Sequence, residues 1–264
     1  MPKPQVKILS GWSNPGGSTV HHIELTNLFN SSGISCVFYG PHRWHLNKCE
    51  GALLDDYSPT PDDILITHFM QVSLEDIEIV KQHILSCHET NLFPLKDFEI
   101  LPYDFIHFVS NSQKEWHGVD HPSVVIPPVI DRFEWVSPRK NRAGIFGSVD
   151  AHKQTHVSIL RALESGYEEV YIIGSQTDPK YFEQLITPLL GETVKYFSHM
   201  NDRKNMYNKV DAVFHSSERE TFNLIKAECN LNGIPYYGLS SADSDGEMLE
   251  KKEILEKWKQ NLKL

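Results

Sequence analysis

The chain has no apolar run approaching the ~18 residues that a membrane-spanning helix needs. It opens Met1-Pro2-Lys3-Pro4 directly ahead of an apolar strand pattern, with no leader-like segment. Cysteine is scarce: Cys36, Cys49, Cys87 and Cys229 are scattered and never form Cys-x-x-Cys. That argues against a disulfide framework and suits reduced thiols in a cytoplasmic protein. Positive charge is in deficit, 25 Lys and Arg against 35 Asp and Glu, for a net charge of −10. The basic footprint of a nucleic-acid binder is therefore missing. Metal signatures are thin as well. His42, His45 and Cys49 fall as His-x2-His-x3-Cys, but a closed zinc site takes a fourth ligand at a recognisable spacing, and none follows. The stretch 41–61 reads as an irregular loop. The Asp243-Ser244-Asp245 pair sits in a polar turn past the last expected strand. No metal is expected.

What the chain has is alternation. Its 264 residues, 40% hydrophobic and 23% charged, suit one large or two small globular domains. Apolar runs at 6–10, 36–39, 62–68, 84–87, 104–110 and 123–126 read as strands. Between them lie helical patterns, one carrying Val20, Ile23, Leu25, Leu28 and Phe29 with Ser18 as its cap, and others over 74–82 and 111–119. Strand, loop, helix and strand in succession announce a doubly wound parallel sheet, whose ligands sit at the carboxyl ends of its strands. The loop Gly11-Trp-Ser-Asn-Pro-Gly-Gly17 is at such an end, and Gly16 and Gly17 let backbone approach a ligand closely. His88, and less strongly His68, close other strands and are candidates for a cleft. The rigid Pro127-Pro128 run leads to a helix-free stretch, 132–142, read as a linker between domains. Beyond it the alternation resumes, with strands at 143–148, 169–174, 194–197 and 212–215, a helix carrying Val157, Ile159, Leu160 and Leu163, and helices at 181–190 and 203–210. This is a second Rossmann-like domain, expected to pair in parallel with right-handed crossovers.

The most informative stretch follows the strand at 212–215. It runs Ser216-Ser217-Glu218-Arg219-Glu220-Thr221-Phe222-Asn223-Leu224 and continues through Glu228 to Asn232-Gly233-Ile234-Pro235. Ser216 or Ser217 is expected to cap a helix that Gly233 ends. Glu220 would then stand at the helix start and Glu228 two turns on, ~12 Å along the axis at 1.5 Å per residue. On spacing alone these two glutamates also fit a plain solvated helix.

Glu220-x7-Glu228, with Phe222 and Leu224 inside and an Asn-Gly-Ile-Pro exit, resembles the nucleotide-sugar motif of family-4 glycosyltransferases. The resemblance covers about residues 6–240 and is strongest over 143–236. It implies an α/β protein of the GT-B fold, with two Rossmann-like domains facing across a cleft. The expected division is 1–131 on the acceptor side, a linker at 132–142, 143–245 on the nucleotide-sugar side, and a tail helix, 246–264, at the domain junction. It further implies a retaining, metal-independent enzyme that needs no cofactor. Such an enzyme would move a sugar from a nucleoside-diphosphate donor to a saccharide or other hydroxyl acceptor. By that resemblance Glu220 faces the donor sugar, Glu228 holds the ribose, Lys153 meets the pyrophosphate, and His88 lies near donor sugar and acceptor. Gly16, Gly17, Ser148, Gly174, Thr221, Phe222, Asn223 and Leu224 are the remaining donor-side candidates. The chain departs from the pattern where the family has arginine at Ser148 and small residues at Thr221 and Asn223, and Arg219 is the candidate substitute cation. Those departures keep a second reading open, a non-catalytic nucleotide-sugar or glycan-binding module. A viral-type transferase acting on nucleic-acid bases is a third, against which the acidic charge argues. In the tail, Leu255, Trp258 and Leu262 form an apolar stripe among five lysines. It is expected to pack on the protein, with peripheral membrane contact as the alternative. Sugar, base, acceptor and oligomeric state are not readable from the chain.

Overall fold

The computed structural model describes residues 5–13, 16–68, 73–88, 103–200, 202–239 and 248–264. Glu89 and the Asp243-Ser244-Asp245 turn lie outside the described residues. The chain divides into two compact units, Met1–Val129 with Asp245–Leu264, and Ile130–Ser244.

The first unit is built on β1 (Gln5–Ser10), α1 (Gly17–Ser31), β2 (Cys36–Gly40), β3 (Gly51–Leu53), β4 (Asp63–His68), α2 (Leu74–Ile79), β5 (Gln82–Cys87), β6 (Phe105–Phe108), α3 (Asn111–His117) and β7 (Ser123–Val125). All seven strands are parallel, in the order β3-β2-β1-β4-β5-β6-β7. Every residue of β4 is buried, as expected of a strand covered on both faces. Helix ends follow local chemistry. The Ser73 and Ser110 hydroxyls accept the N–H groups of Asp76 and Gln113, and Gly118 ends α3 at φ 58°.

Three local expectations are corrected. The Ser18 side chain does not cap α1; the helix begins at Gly17, with Gly16 as an uncapped N-cap. The stretch 41–61 is not wholly irregular, since it holds β3 and two 3₁₀ turns at Arg43–His45 and Leu54–Asp56. Finally, α2 stops at Ile79 and β5 starts already at Gln82. This polar residue is buried because its amide donates to the Asn261 carbonyl and accepts from the Lys263 N–H, both at 2.9 Å.

The second unit contains β8 (Arg142–Phe146), α4 (Thr155–Glu164), β9 (Glu169–Ile173), α5 (Pro179–Tyr181, continued by wider turns over Phe182–Ile186), β10 (Val194–Phe197), α6 (Arg203–Tyr207), β11 (Ala212–His215), α7 (Leu224–Asn232) and β12 (Tyr236–Gly238). They form a parallel sheet in the order β10-β9-β8-β11-β12. The helix-free segment ahead of β8 is tied to this unit. The Asp211 carboxylate accepts the N–H groups of Arg139, Lys140 and Arg142, and the Trp135 indole donates to the carbonyls of Tyr207 and Val210.

The tail helix α8 (Lys251–Asn261) opens on a capping box of Glu250 and Glu253. Its stripe of Ile254, Leu255, Trp258 and Leu262 is buried in the first unit's core beside Phe29 and Phe38. The apolar face is therefore consumed by the fold rather than left open to a bilayer. No helix among the described residues is long and apolar enough to cross a membrane.

Candidate active site

Each sheet reverses its strand order once, between β1 and β4 in the first unit and between β8 and β11 in the second. In doubly wound sheets the crevice at such a reversal, at the carboxyl ends of the strands, is where ligands bind. Most of the candidate residues fall at these two places.

In the second unit, Gly147 leaves β8 at φ 111°, a conformation open to glycine. A Cβ on Gly174 would lie 1.6 Å from the Gly147 carbonyl oxygen. Only glycine fits there, where two strand ends pack closely. From Gly147 the loop runs to Lys153 and is braced by Asp150. The carboxylate of Asp150 accepts the Lys153 N–H at 2.9 Å and the Thr177 hydroxyl at 2.9 Å. Burial would raise this carboxyl, but hydrogen bonds from Ser148, Lys153 and Thr177 bring it below the usual range. Gln154 then takes a left-handed turn at φ 46°, a strained conformation for a residue with a side chain.

The loop after β11 meets this one. The Glu218 N–H donates to the His152 carbonyl at 3.0 Å, and Gln154 donates to the Glu218 carboxylate at 3.0 Å. The Lys153 ammonium lies 2.6 Å from a Glu220 carboxylate oxygen, and His215 Nε2 donates to the same oxygen at 2.8 Å. Burial would push Glu220 up; the Lys153 charge and the His215 hydrogen bond outweigh it and hold the carboxyl at about 2. Glu220 is thus a fixed carboxylate at neutral pH, an acceptor and not a proton donor. Arg161, on α4, reaches the end of β11, with its guanidinium 3.1 Å from Ser216 Oγ and 3.4 Å from the His215 carbonyl.

The motif after Glu220 folds differently from the sequence expectation. Helix α7 begins at Leu224, and its cap is Asn223, whose side chain accepts the Lys226 N–H at 2.9 Å. Ser216 and Ser217 do not cap it. Glu220 is in the preceding loop rather than at the helix start, and Glu228 is only about one turn inside, ~6 Å along the axis. The Asn223 amide also donates to the Tyr236 hydroxyl at 2.9 Å. Phe222 is buried. Thr221 and Leu224 are half-buried beside it. Glu228 is 4% exposed, 2.6 Å from Arg203 and 2.6 Å from the Tyr207 hydroxyl that donates to it. Tyr207, Arg203 and Arg161 carried no local signal in the sequence. Their sites depend on which helix packs on which strand.

In the first unit, Gly16 and Gly17 start α1, half-buried and exposed respectively. His88 follows β5 and is half-buried. Its ring lies within 4.8 to 5.9 Å of four other imidazoles, His21 and His22 of α1, His68 at the end of β4 and His107 of β6. His68 Nδ1 is 2.8 Å from the Ser10 hydroxyl across the strand reversal. The sequence reading singled out two of these five. The others sit mid-helix or mid-strand, where histidine has no distinguishing spacing. His42, His45 and Cys49 are not part of the group.

No protein-family model and no curated protein matches the chain. Solved structures do. HepE of Anabaena in complex with UDP-glucose superposes with a TM-score of 0.66 at 13% identity, over 98% of this chain and 90% of that one. WaaG, a glycosyltransferase involved in lipopolysaccharide biosynthesis, gives 0.64 at 12% over 97% and 90%. TarM gives 0.68 at 8% over 99% and 91%. The class is therefore α/β with the GT-B glycosyltransferase fold. At these identities the likeness is one of architecture, and the assignment of chemistry rests on the side chains.

Proposed function

We propose that the protein is a nucleotide-sugar-dependent glycosyltransferase, retaining and of the family-4 type, that transfers to a saccharide or other hydroxyl acceptor. The observation that carries this reading is the Lys153–Glu220–His215 constellation at the strand reversal of the second sheet. An ammonium has three donors, so Lys153 can keep Glu220 and still bond a phosphate oxygen. As the donor's glycosidic bond breaks, negative charge grows on the leaving diphosphate. A cation held in place stabilises that charge more than the ground state. Arg161, against the end of β11, and Arg219, next to Glu220 in the chain, are the further cations proposed to make up for the charge that Ser148 does not supply. The fixed carboxylate of Glu220 accepts hydroxyls of the donor sugar and keeps Lys153 aimed. Glu228 and the Tyr207–Arg203 pair mark the nucleoside end. Gly16, Gly17 and His88, at strand ends of the first unit, are the acceptor-side residues in this proposal. HepE was solved with UDP-glucose, and a uridine diphosphate sugar is the first donor to try.

The test is a thermal-shift panel of UDP-, GDP-, ADP- and TDP-sugars, followed by turnover with the best of them. A bound donor at ~100 times its dissociation constant adds roughly 2.7 kcal/mol. A panel with no shift contradicts the reading. A second reading is favoured by two contacts: Asn223 is spent on capping α7 and on Tyr236, and Glu228 on Arg203 and Tyr207. In that reading the chain binds a nucleotide sugar without turning it over, and binding with no transfer or hydrolysis would establish it.

A further inference from the structure

We infer that the histidine group of the first unit is a divalent transition-metal site of the zinc class, with His21, His88 and His107 as its ligands. One ring nitrogen from each of the three lies within 4.8 Å of the others. Zinc–nitrogen bonds of about 2.0–2.1 Å set tetrahedral donors roughly 3.4 Å apart. Closing on an ion therefore takes side-chain pivots of about an ångström, with no change of backbone.

The hydrogen bonds fix which nitrogens carry lone pairs. His107 Nε2 is 2.8 Å from the Ile126 carbonyl, which only accepts. Nε2 therefore carries the proton, and Nδ1, which accepts the Ser86 hydroxyl proton in the metal-free protein, is the nitrogen whose lone pair a metal takes in place of that hydrogen bond. An outward N–H on a backbone carbonyl is the usual support of a ligating imidazole. His107 Nδ1 lies 2.8 Å from the Ser86 hydroxyl, and that hydroxyl lies 3.0 Å from His88 Nε2. Ser86 gives its one proton to His107, so it accepts from His88 Nε2–H, and His88 Nδ1 bears the lone pair. His21 is 2% exposed and His22 fully buried, yet all four of their ring nitrogens lack a hydrogen-bond partner. Buried polar groups are normally satisfied, and an unsatisfied one carries a desolvation penalty. A metal removes one such deficit directly.

The electrostatic surroundings agree. His68, His107 and one another are among the groups acting on His21, His22 and His88. Burial, followed by that mutual repulsion, holds all three far below the usual histidine range, in the neutral form that binds metal. His88 is half-buried and gives the ion its way in. Three neutral ligands leave the fourth position of a tetrahedral ion to water or a solvent anion, with His22 and His68 lining the remainder. The site lies in the first unit and shares His88 with the proposed acceptor side, and its test reads the bound ion rather than sugar transfer.

The experiment is titration of chelator-treated full-length protein with cobalt(II), read by the visible absorption of a tetrahedral ion, and with zinc against a chromophoric chelator. One ion per chain is expected. His21→Gln and His88→Gln should each weaken it roughly 10- to 100-fold or more, while His42→Gln, at an exposed residue outside the group, leaves it unchanged. Thermal melts check that each variant is folded. If the buried variants do not fold, the wild-type protein decides alone, because a bound ion at this site adds resonance shifts to several imidazoles at once by NMR. Absence of uptake by folded wild-type protein overturns the inference. So does uptake that survives His21→Gln and His88→Gln, or that is lost in His42→Gln.

Discussion

At the strand reversal of the second sheet, a lysine and a histidine both lie within 2.8 Å of one carboxylate oxygen. At the reversal of the first sheet, five imidazoles pack ring against ring, and burial together with their mutual repulsion keeps His21, His22 and His88 neutral. The strand order about the reversal is the same, but in the first unit only His68 and His88 come from strand ends, joined by His21 and His22 from α1 and His107 from within β6. The two sites nevertheless ask for different ligands. A pair of opposite charges with spare donor capacity suits a phosphate. Neutral imidazoles, two of them with no hydrogen-bond partner on either ring nitrogen, suit a soft cation. Topology says where to look, and the residues there say what can bind.

The comparison breaks most visibly with acid. His21, His22 and His88 are held well below the usual histidine value by burial, and His107 is lowered to about 4 by the same cause. In the unfolded chain these groups bind protons near pH 6.5 and in the folded chain they do not, so stability is full above that value and falls as pH drops beneath it. Each contributes roughly 1 kcal/mol per pH unit of loss. Metal-free protein should therefore lose its first unit below pH ~6 while the second stays folded, as followed by hydrogen exchange resolved along the chain. A first unit whose protection does not change between pH 7 and about pH 4 would show that the histidines are not buried in neutral form.

The second unit's pair should fail by charge removal instead. Lys153→Ala is expected to lower turnover with the best donor about 100- to 1,000-fold, the loss typical of one donor to a developing oxyanion. Steady-state kinetics measures it. Next in size, Glu220→Gln removes a carboxylate held at about 2 against an ordinary value of 4.5. Such a group stabilises the fold above about pH 4.5, and the contribution is lost as pH falls through 2. Wild type should exceed the variant by on the order of 3 kcal/mol at neutral pH, and the difference should vanish across that window in denaturant titrations. The smallest effect is that of Asn223→Ala, which should cost about 1 kcal/mol as a lost cap. A drop in donor affinity with unchanged stability would instead assign Asn223 to the ligand.

The alternation of strands and helices was legible from the chain because strands buried on both faces read as apolar runs, β4 and β11 among them. Lys153 and Glu220 were legible only through their positions in a motif. What failed was local chemistry that tertiary contacts override. Ser216 and Ser217 have good cap chemistry, but Asn223 takes the role because the loop from Ser217 to Glu220 is tied to His152 and Lys153 instead. Gly51 to Leu53 pairs as β3 because β2 offers it a free edge, not because of its composition. Histidines at 21, 22 and 107 come together only when α1 is laid across β4, β5 and β6, which no spacing along the chain reveals.

The central claim is that the donor's diphosphate rests on Lys153. Isothermal calorimetry with UDP, comparing wild type, Lys153→Ala and His42→Gln, tests it most directly. The charge-assisted bond is worth roughly 1.5–3 kcal/mol, so Lys153→Ala should bind UDP about 10- to 150-fold more weakly, with His42→Gln unchanged. A folded Lys153→Ala protein that binds UDP as tightly as wild type would contradict the account and place the diphosphate elsewhere.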